Sequence, residues 1–407
     1  MTEEVKHVRT AAIIGAGPAG LAAALGLNRA GWAVHLYERY PEVRAAGNIL
    51  NLWPTPQKAL RALGVDTEDL GAPAMTQLRR HDGRVRAEFR MPEDVIREYN
   101  GGFIGLIRWG LYKRMLDALP DGVLRLDHRF AGFDDRGDTV EVRFENAPSV
   151  TVDLLIGADG IESAVRTQLW GATPKRHHGL HLLGGWFLTD EPIGTRGVFA
   201  HDRTTQGSYT PIRHEGRDGY EWWVVEKWSP GATFTETDIR TYALDRVGHF
   251  ADPLPAFIRR TDPAHTHRWE IIDRVPMSQW SKGRVTLIGD AAHATSPYAA
   301  YGAGMSIEDG YFLGRDLADV DARDAQALSA ALQRFEDVRR PLTAEVQQQA
   351  YFTGKIFHHI PRVLRPLRDF LFDHTGFLQK NQGDAQPARV IAQLDDIEDA
   401  PPPRART

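Results

Sequence analysis

The sequence contains no cysteine, and this absence removes several kinds of chemistry. Disulfides, thiolate nucleophiles, iron–sulfur clusters and cysteine-ligated zinc sites are excluded. Redox enzymes that work through a pair of cysteines are excluded for the same reason. The histidine-rich segment at residues 176–181 lacks carboxylates at a matching spacing. No metal site is therefore predicted.

The chain also lacks an excess of positive charge and a long uninterrupted apolar segment. Its formal net charge is -5, which argues against nucleic acid as a partner, because nucleic-acid binders present a basic face. The apolar stretch from Ala11 to Leu27 is broken by glycines and a proline, so no stable membrane insertion is predicted. Residues 1–7 are polar, with no basic region ahead of an apolar core, and a cytoplasmic location is expected.

The length of 407 residues suits two packed domains, and the first begins with a strand–helix–strand unit. Residues 9–15 have the pattern of a short buried strand, 18–30 that of a helix rich in Ala and Leu, and 32–38 that of a second strand. Such a βαβ unit indicates a parallel sheet. Two more strands are predicted at 151–157 and 283–289, each running into Gly or Asp, where ligands of doubly wound sheets bind.

The middle of the chain has a different pattern. Between about 176 and 274 the sequence is rich in His, Trp and Tyr and alternates, which predicts an antiparallel sheet, and residues 76–92 are expected to add a strand pair. A cofactor domain is thus interrupted by a substrate domain, and a helical segment and a disordered tail follow. The predicted cofactor domain comprises residues 1–75, 100–175 and 275–345, and the predicted substrate domain comprises 76–99 and 176–274. The helical segment is predicted at 346–381 and the disordered tail at 382–407.

A G-x-G-x-x-G motif from Gly15 to Gly20 lies in the context that a dinucleotide site requires, after a strand and at the start of a helix. Gly15 permits the tight turn, Gly17 lets the backbone approach a pyrophosphate, and Gly20 lets the helix pack on the strand. The helix N-terminus offers free N–H groups to an anion. Glu38 closes the second strand, where an acid accepts hydrogen bonds from ribose hydroxyls. By itself this motif does not separate FAD from NAD.

Two further motifs separate them. Asp159-Gly160 follows the strand at 151–157, and Gly289-Asp290 follows the strand at 283–288. With these three motifs in this order, the chain resembles the FAD-dependent aromatic hydroxylases of the para-hydroxybenzoate hydroxylase type, the group A flavoprotein monooxygenases. The resemblance covers roughly residues 8–345. It implies an α/β fold in which a Rossmann-like FAD-binding domain of the glutathione-reductase type is interrupted by an antiparallel-sheet substrate domain, with C-terminal helices.

The resemblance also implies an activity and a set of cofactor-binding residues. The implied enzyme is a monooxygenase that uses FAD, NADPH or NADH, and O2 to hydroxylate an aromatic or polycyclic small molecule through a C4a-hydroperoxyflavin. Asp290 is expected to bind the ribityl chain, Arg108 to contact FAD, and Asp159 to be structural near the pyrophosphate. The full set expected around the cofactor is Gly15, Gly17, Pro18, Ala19, Gly20, Glu38, Arg39, Arg44, Gly47, Arg108, Asp159, Asp290, Pro297, Gly302, Ala303 and Gly304.

The sequence departs from the family pattern after Pro297. The family usually has two residues there, then Gly-Gln-Gly and a small residue before Asn. In this chain Ala300 replaces the first glycine, Tyr301 the glutamine and Gly304 the asparagine. The change either remodels packing beside the flavin or alters how oxygen is used there. His293, in the same motif, is expected to be structural rather than a base.

The substrate pocket is expected between the flavin and the sheet of residues 181–230. Alternation places Tyr220 and Trp222 on one face and Trp223 on the other, and does not say which face looks at the flavin. A phenolic substrate needs a base or a hydrogen-bond partner, for which a Tyr or His is suited, but no catalytic residue is identified. The candidates to line the pocket are Tyr209, Tyr220, Trp222, Trp223 and Tyr301.

Several alternatives stay open at this point. A related flavoenzyme could instead catalyse epoxidation, oxidation, oxidative decarboxylation or a redox-neutral cyclisation. A flavin halogenase is disfavoured because no W-x-W-x-I-P segment is found, and a flavin-binding protein without catalysis is a further option. The aromatic-rich middle domain favours larger planar substrates, as in antibiotic biosynthesis. The chain is expected to be a monomer or a homodimer.

Overall fold

The computed structural model describes residues 8–44, 49–99, 101–235 and 238–399. Its strands, in chain order, are β1 (Thr10–Ile14), β2 (Ala33–Tyr37), β3 (Ile49–Leu52), β4 (Ala72–Pro73), β5 (Met75–Arg80), β6 (Val85–Glu88), β7 (Ile104–Ile107), β8 (Leu124–Arg125), β9 (Phe130–Asp135), β10 (Val140–Phe144), β11 (Val150–Val152), β12 (Leu154–Gly157), β13 (Arg176–Leu188), β14 (Arg196–His201), β15 (Gln206–His214), β16 (Arg217–Lys227), β17 (Thr266–Asp273) and β18 (Val285–Leu287).

The helices alternate with these strands in the first part of the chain and dominate the last part. They are α1 (Pro18–Arg29), α2 (Pro54–Ala62), α3 (Glu93–Glu98), α4 (Arg108–Asp117), α5 (Ala164–Trp170), α6 (Ile239–Val247), α7 (Leu254–Arg260), α8 (Asp290–His293), α9 (Gly302–Asp316), α10 (Ala325–Gly354), α11 (Arg365–His374) and α12 (Ala385–Val390). None of the helices in the described part of the chain has the length and apolar character needed to cross a membrane.

The first layer is a parallel sheet of five strands in the order β18-β12-β1-β2-β8. Its central strand β1 places Ile13 between Ile156 of β12 and Leu36 of β2, and all three side chains are fully buried. Helix α1 begins with Pro18, whose fixed φ suits the first helical position, and Gly31 follows its end at a φ of +82°. The predicted α/β fold with a βαβ start is confirmed.

The second layer is a ten-stranded mixed sheet whose longest path runs β17-β13-β16-β15-β14-β5-β6, with β3, β4 and β7 attached beside β15. The strands from β17 to β14 pair in antiparallel fashion, and β14 runs parallel to β5. The strand pair expected within residues 76–92 is present as β5 and β6. One face of this sheet packs on α6 and α7 in an apolar core. A separate antiparallel sheet is formed by β9, β10 and β11.

The C-terminal region differs most from the sequence-based expectation. The prediction of a disordered tail from residue 382 is wrong for residues 382–399, which contain α12 and pack on the body of the protein. Val390 and Ile397 are almost fully buried, and Gln382 is also buried. The expectation rested on the proline run at residues 401–403, which lies outside the described residues. The predicted domain boundaries themselves stay a prediction.

Candidate functional site

A cavity of about 420 Å³ lies where the carboxyl end of the parallel sheet meets the large sheet. Residues after β1, β12 and β18 contribute Gly17, Ala158 and Asp290 to its wall. The large sheet contributes Trp223 from β16 on the opposite side. Ligands of doubly wound sheets bind at such strand ends. The cavity therefore has two halves, one at the glycine motif and one on the face of the large sheet.

The glycine motif forms a turn in which Gly15 and Gly20 lie too close to other backbone atoms for a side chain to fit. Gly17, by contrast, has free space around it. Gly15 has a φ of +101°, and a Cβ there would lie 2.5 Å from the carbonyl oxygen of Ala158. A Cβ at Gly20 would lie 1.9 Å from the carbonyl oxygen of Gly15. Gly17 has no atom within 4 Å of the same position, and it lines the cavity together with Pro18 and Ala19. The helix N-terminus at Gly17 thus faces open space of the cavity.

Glu38, the acid at the end of β2, holds this turn by its carboxylate. One oxygen accepts a hydrogen bond from the backbone N–H of Ala16 at 3.1 Å, and the other accepts one from the N–H of Tyr40 at 3.2 Å. Tyr112 of α4 donates its hydroxyl to the carbonyl oxygen of Ala16. Glu38 does not line the cavity. Its role toward a ribose stays a prediction.

The arginines that follow Glu38 point elsewhere. The guanidinium groups of Arg39 and Arg44 lie 4.9 Å and 4.6 Å from the ring centroid of Tyr40, and Arg44 pairs with the exposed Glu42 at 2.9 Å. Neither arginine lines the cavity. Gly47, expected near the flavin, lies outside the described residues. The structure therefore does not bring Arg39 and Arg44 to the cavity with the rest of the predicted set.

Arg108 and Asp290 bring opposite charges to the cavity wall from two different helix starts. Arg108 is the first residue of α4, and its Nε is buried without a hydrogen-bond partner among the described residues. Burial lowers the pKa of Arg108, and the charge of Asp290 acts in the opposite direction. Asp290, the first residue of α8, opens onto the cavity. Enclosure by protein raises the pKa of its carboxyl, against the effect of His293 and Arg108.

Asp159 and Arg166 hold the neighbouring loop. The Asp159 carboxylate accepts hydrogen bonds from the N–H groups of Ala164 at 2.7 Å and Val165 at 3.2 Å, which are otherwise free at the start of α5. The guanidinium of Arg166 is buried and donates to the carbonyl oxygen of Ala291 at 2.8 Å. Neither side chain lines the cavity, whereas the adjacent Ala158 and Gly160 do. Both contacts position the loop.

The segment from Pro297 to α9 forms the next part of the wall. Pro297, Gly302 and Ala303 line the cavity, so the N-terminus of a second helix, α9, also faces it. Ala300, which replaces the family glycine, has a φ of +47° and a ψ of 28°. This left-handed conformation costs an Ala about 1–2 kcal/mol relative to the right-handed region. The departure at this position therefore places a strained residue at the cavity wall.

The departures at Tyr301 and Gly304 are a single packing arrangement. A Cβ at Gly304 would lie 2.7 Å from Cδ2 of the Tyr301 ring, so the larger ring requires the smaller residue. The Tyr301 hydroxyl donates to Oε1 of Glu308 at 2.5 Å, and Arg339 binds the other oxygen of Glu308 at 2.9 Å. Burial raises the pKa of Glu308 to about 7 despite the charge of Arg339. Tyr301 lines the cavity, but its hydroxyl points into this network.

His293 belongs to the same buried network. Its Nε2 lies 2.5 Å from Oδ2 of Asp309, and Asp309 also binds Nε of Arg339 at 2.9 Å and the N–H of Gly289 at 2.8 Å. Burial alone raises the pKa of Asp309, but His293 and Arg339 together lower it to about 2. His293 does not line the cavity. These contacts agree with the expected structural role.

The large sheet turns one face to the cavity, and this decides which aromatic residues line it. On β16 the alternate residues Glu221, Trp223 and Val225 line the cavity. Tyr220 and Trp222 point to the other face, where they join Tyr209 in the core against α6 and α7. The prediction that Tyr209, Tyr220 and Trp222 line the pocket is wrong. Alternation correctly separated Tyr220 and Trp222 from Trp223, but it could not tell which of the two faces meets the cavity.

Several cavity residues were missed by sequence reasoning. Strands β14 and β15 contribute residues of the same face, and the chain after residue 350 closes the far end. Alternation along β14 and β15 is the signal that could have found the first group, whereas nothing local marks the second. The missed residues include Phe199, His201, Gln206, Glu221 and Tyr298, and then Thr353, Phe357, Leu378, Gln382 and Gln386.

The cavity wall carries buried polar atoms that lack a hydrogen-bond partner within the described ranges. They are Nε of Arg108, Oγ1 of Thr295, Oδ1 of Asn51, Oε2 of Glu221 and both ring nitrogens of His201. Leaving such atoms unpaired costs about 1–3 kcal/mol each. They are therefore expected to be satisfied by a bound molecule. The positive charge of Arg108 and two helix N-termini fit an anionic dinucleotide.

Comparison with known proteins agrees with this fit. A family model described as "FAD binding domain" matches residues 8–350. The chain belongs to this FAD-binding family. It is 28% identical to the 6-hydroxynicotinate 3-monooxygenase of Pseudomonas fluorescens, with 83% of this chain and 89% of that protein covered. It is 30% identical to the 3-amino-4-hydroxybenzoate 2-monooxygenase PtnB3 of Streptomyces platensis, with 91% and 93% covered.

A solved structure gives the same result for the fold. Klebsiella pneumoniae HpxO, determined in complex with FAD and uric acid, matches with a TM-score of 0.82 at 26% identity, covering 94% of this chain and 97% of that one. The prediction of an FAD-dependent monooxygenase, with NAD(P)H as co-substrate, is confirmed. The FAD-binding enzyme is thus an oxidoreductase. The roles of individual residues stay predictions.

Proposed function

We propose that this FAD-dependent monooxygenase uses O2 to hydroxylate a planar aromatic molecule bound against the cavity face of the large sheet. The observation that carries the proposal is the continuity of the cavity. A single space joins the glycine turn to a wall of aromatic side chains. Aromatic side chains bind planar rings by stacking and edge contacts. The rings that line this wall are Phe89, Phe103, Phe199, Trp223, Trp269, Tyr298 and Phe357.

The residues at the glycine end would hold FAD. Gly17, Pro18 and Ala19 present the N-terminus of α1 to a pyrophosphate, because backbone N–H groups and the helix dipole both favour an anion there. Arg108 supplies a positive charge, and Asp290 supplies acceptors for hydroxyl groups. Gly302 and Ala303 would present the N-terminus of α9 to negative charge on the flavin ring. When bound and reduced, FAD supplies the electrons and the site at which O2 is activated.

The protein's own side chains orient the substrate and exclude water. The aromatic wall covers the ring of the substrate, and the C-terminal segment closes the end of the cavity through Phe357 and Leu378. Exclusion of water protects reactive intermediates from side reactions. The Tyr301–Gly304 pair is explained by packing against Glu308. That explanation supports a remodelled wall with the ordinary hydroxylase chemistry.

The named relatives support an aromatic substrate with hydroxyl or ring nitrogen groups. One relative is named for 6-hydroxynicotinate, a second for 3-amino-4-hydroxybenzoate, and the solved structure contains uric acid. The first experiment is to purify the protein, record its flavin spectrum, and follow NADH and NADPH oxidation with each of these three rings. The expected result is oxidation accelerated by at least one ring, with a product heavier by one oxygen atom.

The contrary result is equally clear. Bound flavin with NAD(P)H oxidation that no ring accelerates, and with no oxygenated product, would contradict the proposal. The Trp223→Ala variant is the first companion, because it removes one aromatic wall residue and leaves the glycine turn intact. It should keep its flavin and lose most of the acceleration. The monomer or homodimer state, the cytoplasmic location and a role in antibiotic biosynthesis stay predictions.

A further inference from the structure

Glu221 is a buried carboxyl group on the cavity face of β16 that has almost no partners. Its side chain is 2% exposed. Oε1 accepts a hydrogen bond from Nδ2 of Asn51 at 3.3 Å, and Oε2 has no partner in the described part of the chain. Both residues line the cavity. A buried carboxyl group that is left in this state destabilises the fold, so its presence calls for a function.

The groups around Glu221 are neutral. Its cross-strand neighbours are Thr210 on β15 and Trp186 on β13, and Asn51 approaches from β3. Among the described residues no Arg, Lys or His forms an ion pair with Glu221. Burial raises the pKa of Glu221 well above its usual range, and the hydrogen bond from Asn51 is the only opposing influence. A carboxylate of this kind is a stronger base than an exposed one.

Asn51 makes the corner an acceptor site. Its Oδ1 is also buried and has no partner in the described ranges, so the corner offers two oxygen acceptors that are not satisfied there. Unpaired acceptors select a ligand that brings hydrogen-bond donors. A ring hydroxyl or a ring N–H is such a donor. At the glycine end, by contrast, a donor, Nε of Arg108, has no partner in the described ranges.

The position of Glu221 fits a role beside the reacting ring. Asn51 pairs with Gly105 of β7, and β7 leads directly into Arg108, so the corner lies next to the cofactor half. Trp223 follows Glu221 on the same face and offers a ring surface for stacking. The acceptor corner and the aromatic wall can thus contact the edge and the face of the same planar ring.

We propose that Glu221 is a catalytic residue, whose carboxylate accepts the proton of a ring hydroxyl or ring N–H of the aromatic substrate. This proposal rests on the proposed function. The O–H or N–H bond of the substrate breaks, its electron pair stays on the ring system, and a new O–H bond forms at Oε2 of Glu221. The anionic ring is richer in electrons and so reacts more readily with an electrophilic oxygen. When the product leaves, Glu221 returns the proton to the same ring oxygen or nitrogen.

Two other cavity residues are less suited to this task. His201 lies on the same face of the sheet, but it is two strands away on β14 and offset by four residues, which is about 13 Å along the strand direction alone. Burial lowers the pKa of His201 well below its usual range, which makes it a weak base. The hydroxyl of Tyr298 is already hydrogen-bonded to Gln206 at 2.8 Å and contacts His358. The Tyr or His base that the sequence suggested is therefore replaced by a glutamate.

The test compares ligand pairs that differ only in the donor. The probes are 6-hydroxynicotinate against nicotinate, and 3-amino-4-hydroxybenzoate against 3-aminobenzoate, bound to the FAD-loaded enzyme. Perturbation of the flavin absorption gives each Kd without turnover. The wild type should prefer the donor-bearing ring of at least one pair by about tenfold or more. Glu221→Gln should lose that preference while binding the ring that lacks the hydroxyl within about twofold.

Two controls make the result specific. Glu226→Gln changes the other glutamate of β16, which lies on the opposite face and is bound by His181 at 3.0 Å and Tyr242 at 2.6 Å; it should keep the preference. Glu221→Asp should recover part of it. The absorption of the bound hydroxylated ring should also show its ionised form below its solution pKa in the wild type and not in Glu221→Gln.

Three outcomes would overturn the proposal. They are an unchanged preference in Glu221→Gln, an equal loss in Glu226→Gln, and a wild type that binds none of the four rings. Failure of the proposed function has a different signature. In that case the donor preference depends on Glu221 as described, but no ring accelerates NAD(P)H oxidation or gains an oxygen atom.

Discussion

The two halves of the cavity are built from different parts of the chain. At the glycine end the wall is mostly backbone, with Gly17 and two helix N-termini facing open space. At the sheet end the wall is side chain, where Trp223 and Glu221 project from one face of β16. The shape of the first half therefore depends on the path of the backbone. The second depends on which side chains the sheet turns inward.

This difference predicts different responses to substitution. A Cβ added at Gly15 or Gly20 meets backbone atoms that cannot move aside, so both folding and FAD binding should be impaired. A substitution on the cavity face of the sheet should change the affinity for the aromatic ligand and leave FAD binding intact. The same change on the opposite face removes core packing. Four sets of substitutions test this contrast.

The largest effect is expected from replacing each of two neighbouring tryptophans on β16 by alanine. Trp222 is fully buried, and its Nε1 donates to Oγ1 of Thr261 at 2.8 Å, so Trp222→Ala should lower the free energy of unfolding by about 3–5 kcal/mol. Trp223 is only half-buried because it faces the cavity. Trp223→Ala should cost less stability and weaken the binding of aromatic rings. Denaturant unfolding and ligand titration of both variants measure the contrast, and equal stability losses would contradict it.

The second effect concerns the glycine turn. Gly20→Ala places a Cβ 1.9 Å from the carbonyl oxygen of Gly15, and this overpacking should cost about 3 kcal/mol and reduce the bound flavin. Gly17→Ala is the matched control, since its Cβ meets no atom within 4 Å. The unfolding of the apoprotein should be unchanged in Gly17→Ala, whereas its affinity for FAD should fall. A normal flavin content in Gly20→Ala would contradict the role of this close contact.

A third substitution tests the pair of departures from the family pattern. Gly304→Asn should destabilise the protein by about 1–3 kcal/mol, because a Cβ there lies 2.7 Å from the Tyr301 ring. Tyr301→Gln in the same chain should recover part of this loss by removing the ring. Thermal unfolding of the two single variants and the double variant gives the coupling between the sites. Additive losses would show that the two positions are independent.

The smallest effect is expected at Ala300. Its φ of +47° costs an Ala about 1–2 kcal/mol, and the greater freedom of a Gly in the unfolded chain offsets about half of that. Ala300→Gly should therefore stabilise the protein by about 0.5 kcal/mol. Trp53 donates its Nε1 to the carbonyl oxygen of Ala300 at 2.7 Å, and this hydrogen bond should persist. The midpoint of denaturant unfolding measures the change. A lower midpoint for Ala300→Gly would contradict the idea that Ala300 is strained.

Much of the cofactor half could be predicted because local sequence controls it. The strand before Gly15, the turn and the helix from Pro18 were expected within a residue or two of their observed bounds. Hydrophobic runs and glycine spacing encode these elements through short-range geometry. The exceptions were arginines: Arg39 and Arg44 stack on Tyr40, since long flexible side chains take whatever partner the tertiary structure brings near.

Less of the substrate half could be predicted. The alternation on β16 separated Trp222 from Trp223 correctly. A two-residue period assigns residues to two faces but does not say which face points to the cavity. Glu221 was missed for the same reason. The closing residues Phe357 and Gln386 come from a segment far along the chain, and contacts of that range leave no local pattern.

The sequence by itself determined the family, the parallel sheet, the glycine turn and the absence of thiol chemistry. Each of these follows from residue type, local spacing or composition, which need no knowledge of distant contacts. Only the tertiary structure decided which face of the large sheet meets the cofactor half and that Tyr301 and Gly304 form one packing unit. It also decided that one carboxylate oxygen of Glu221 has no partner among the described residues. These features depend on how strands and loops far apart in sequence come together, and that arrangement is set by the packing of the whole chain.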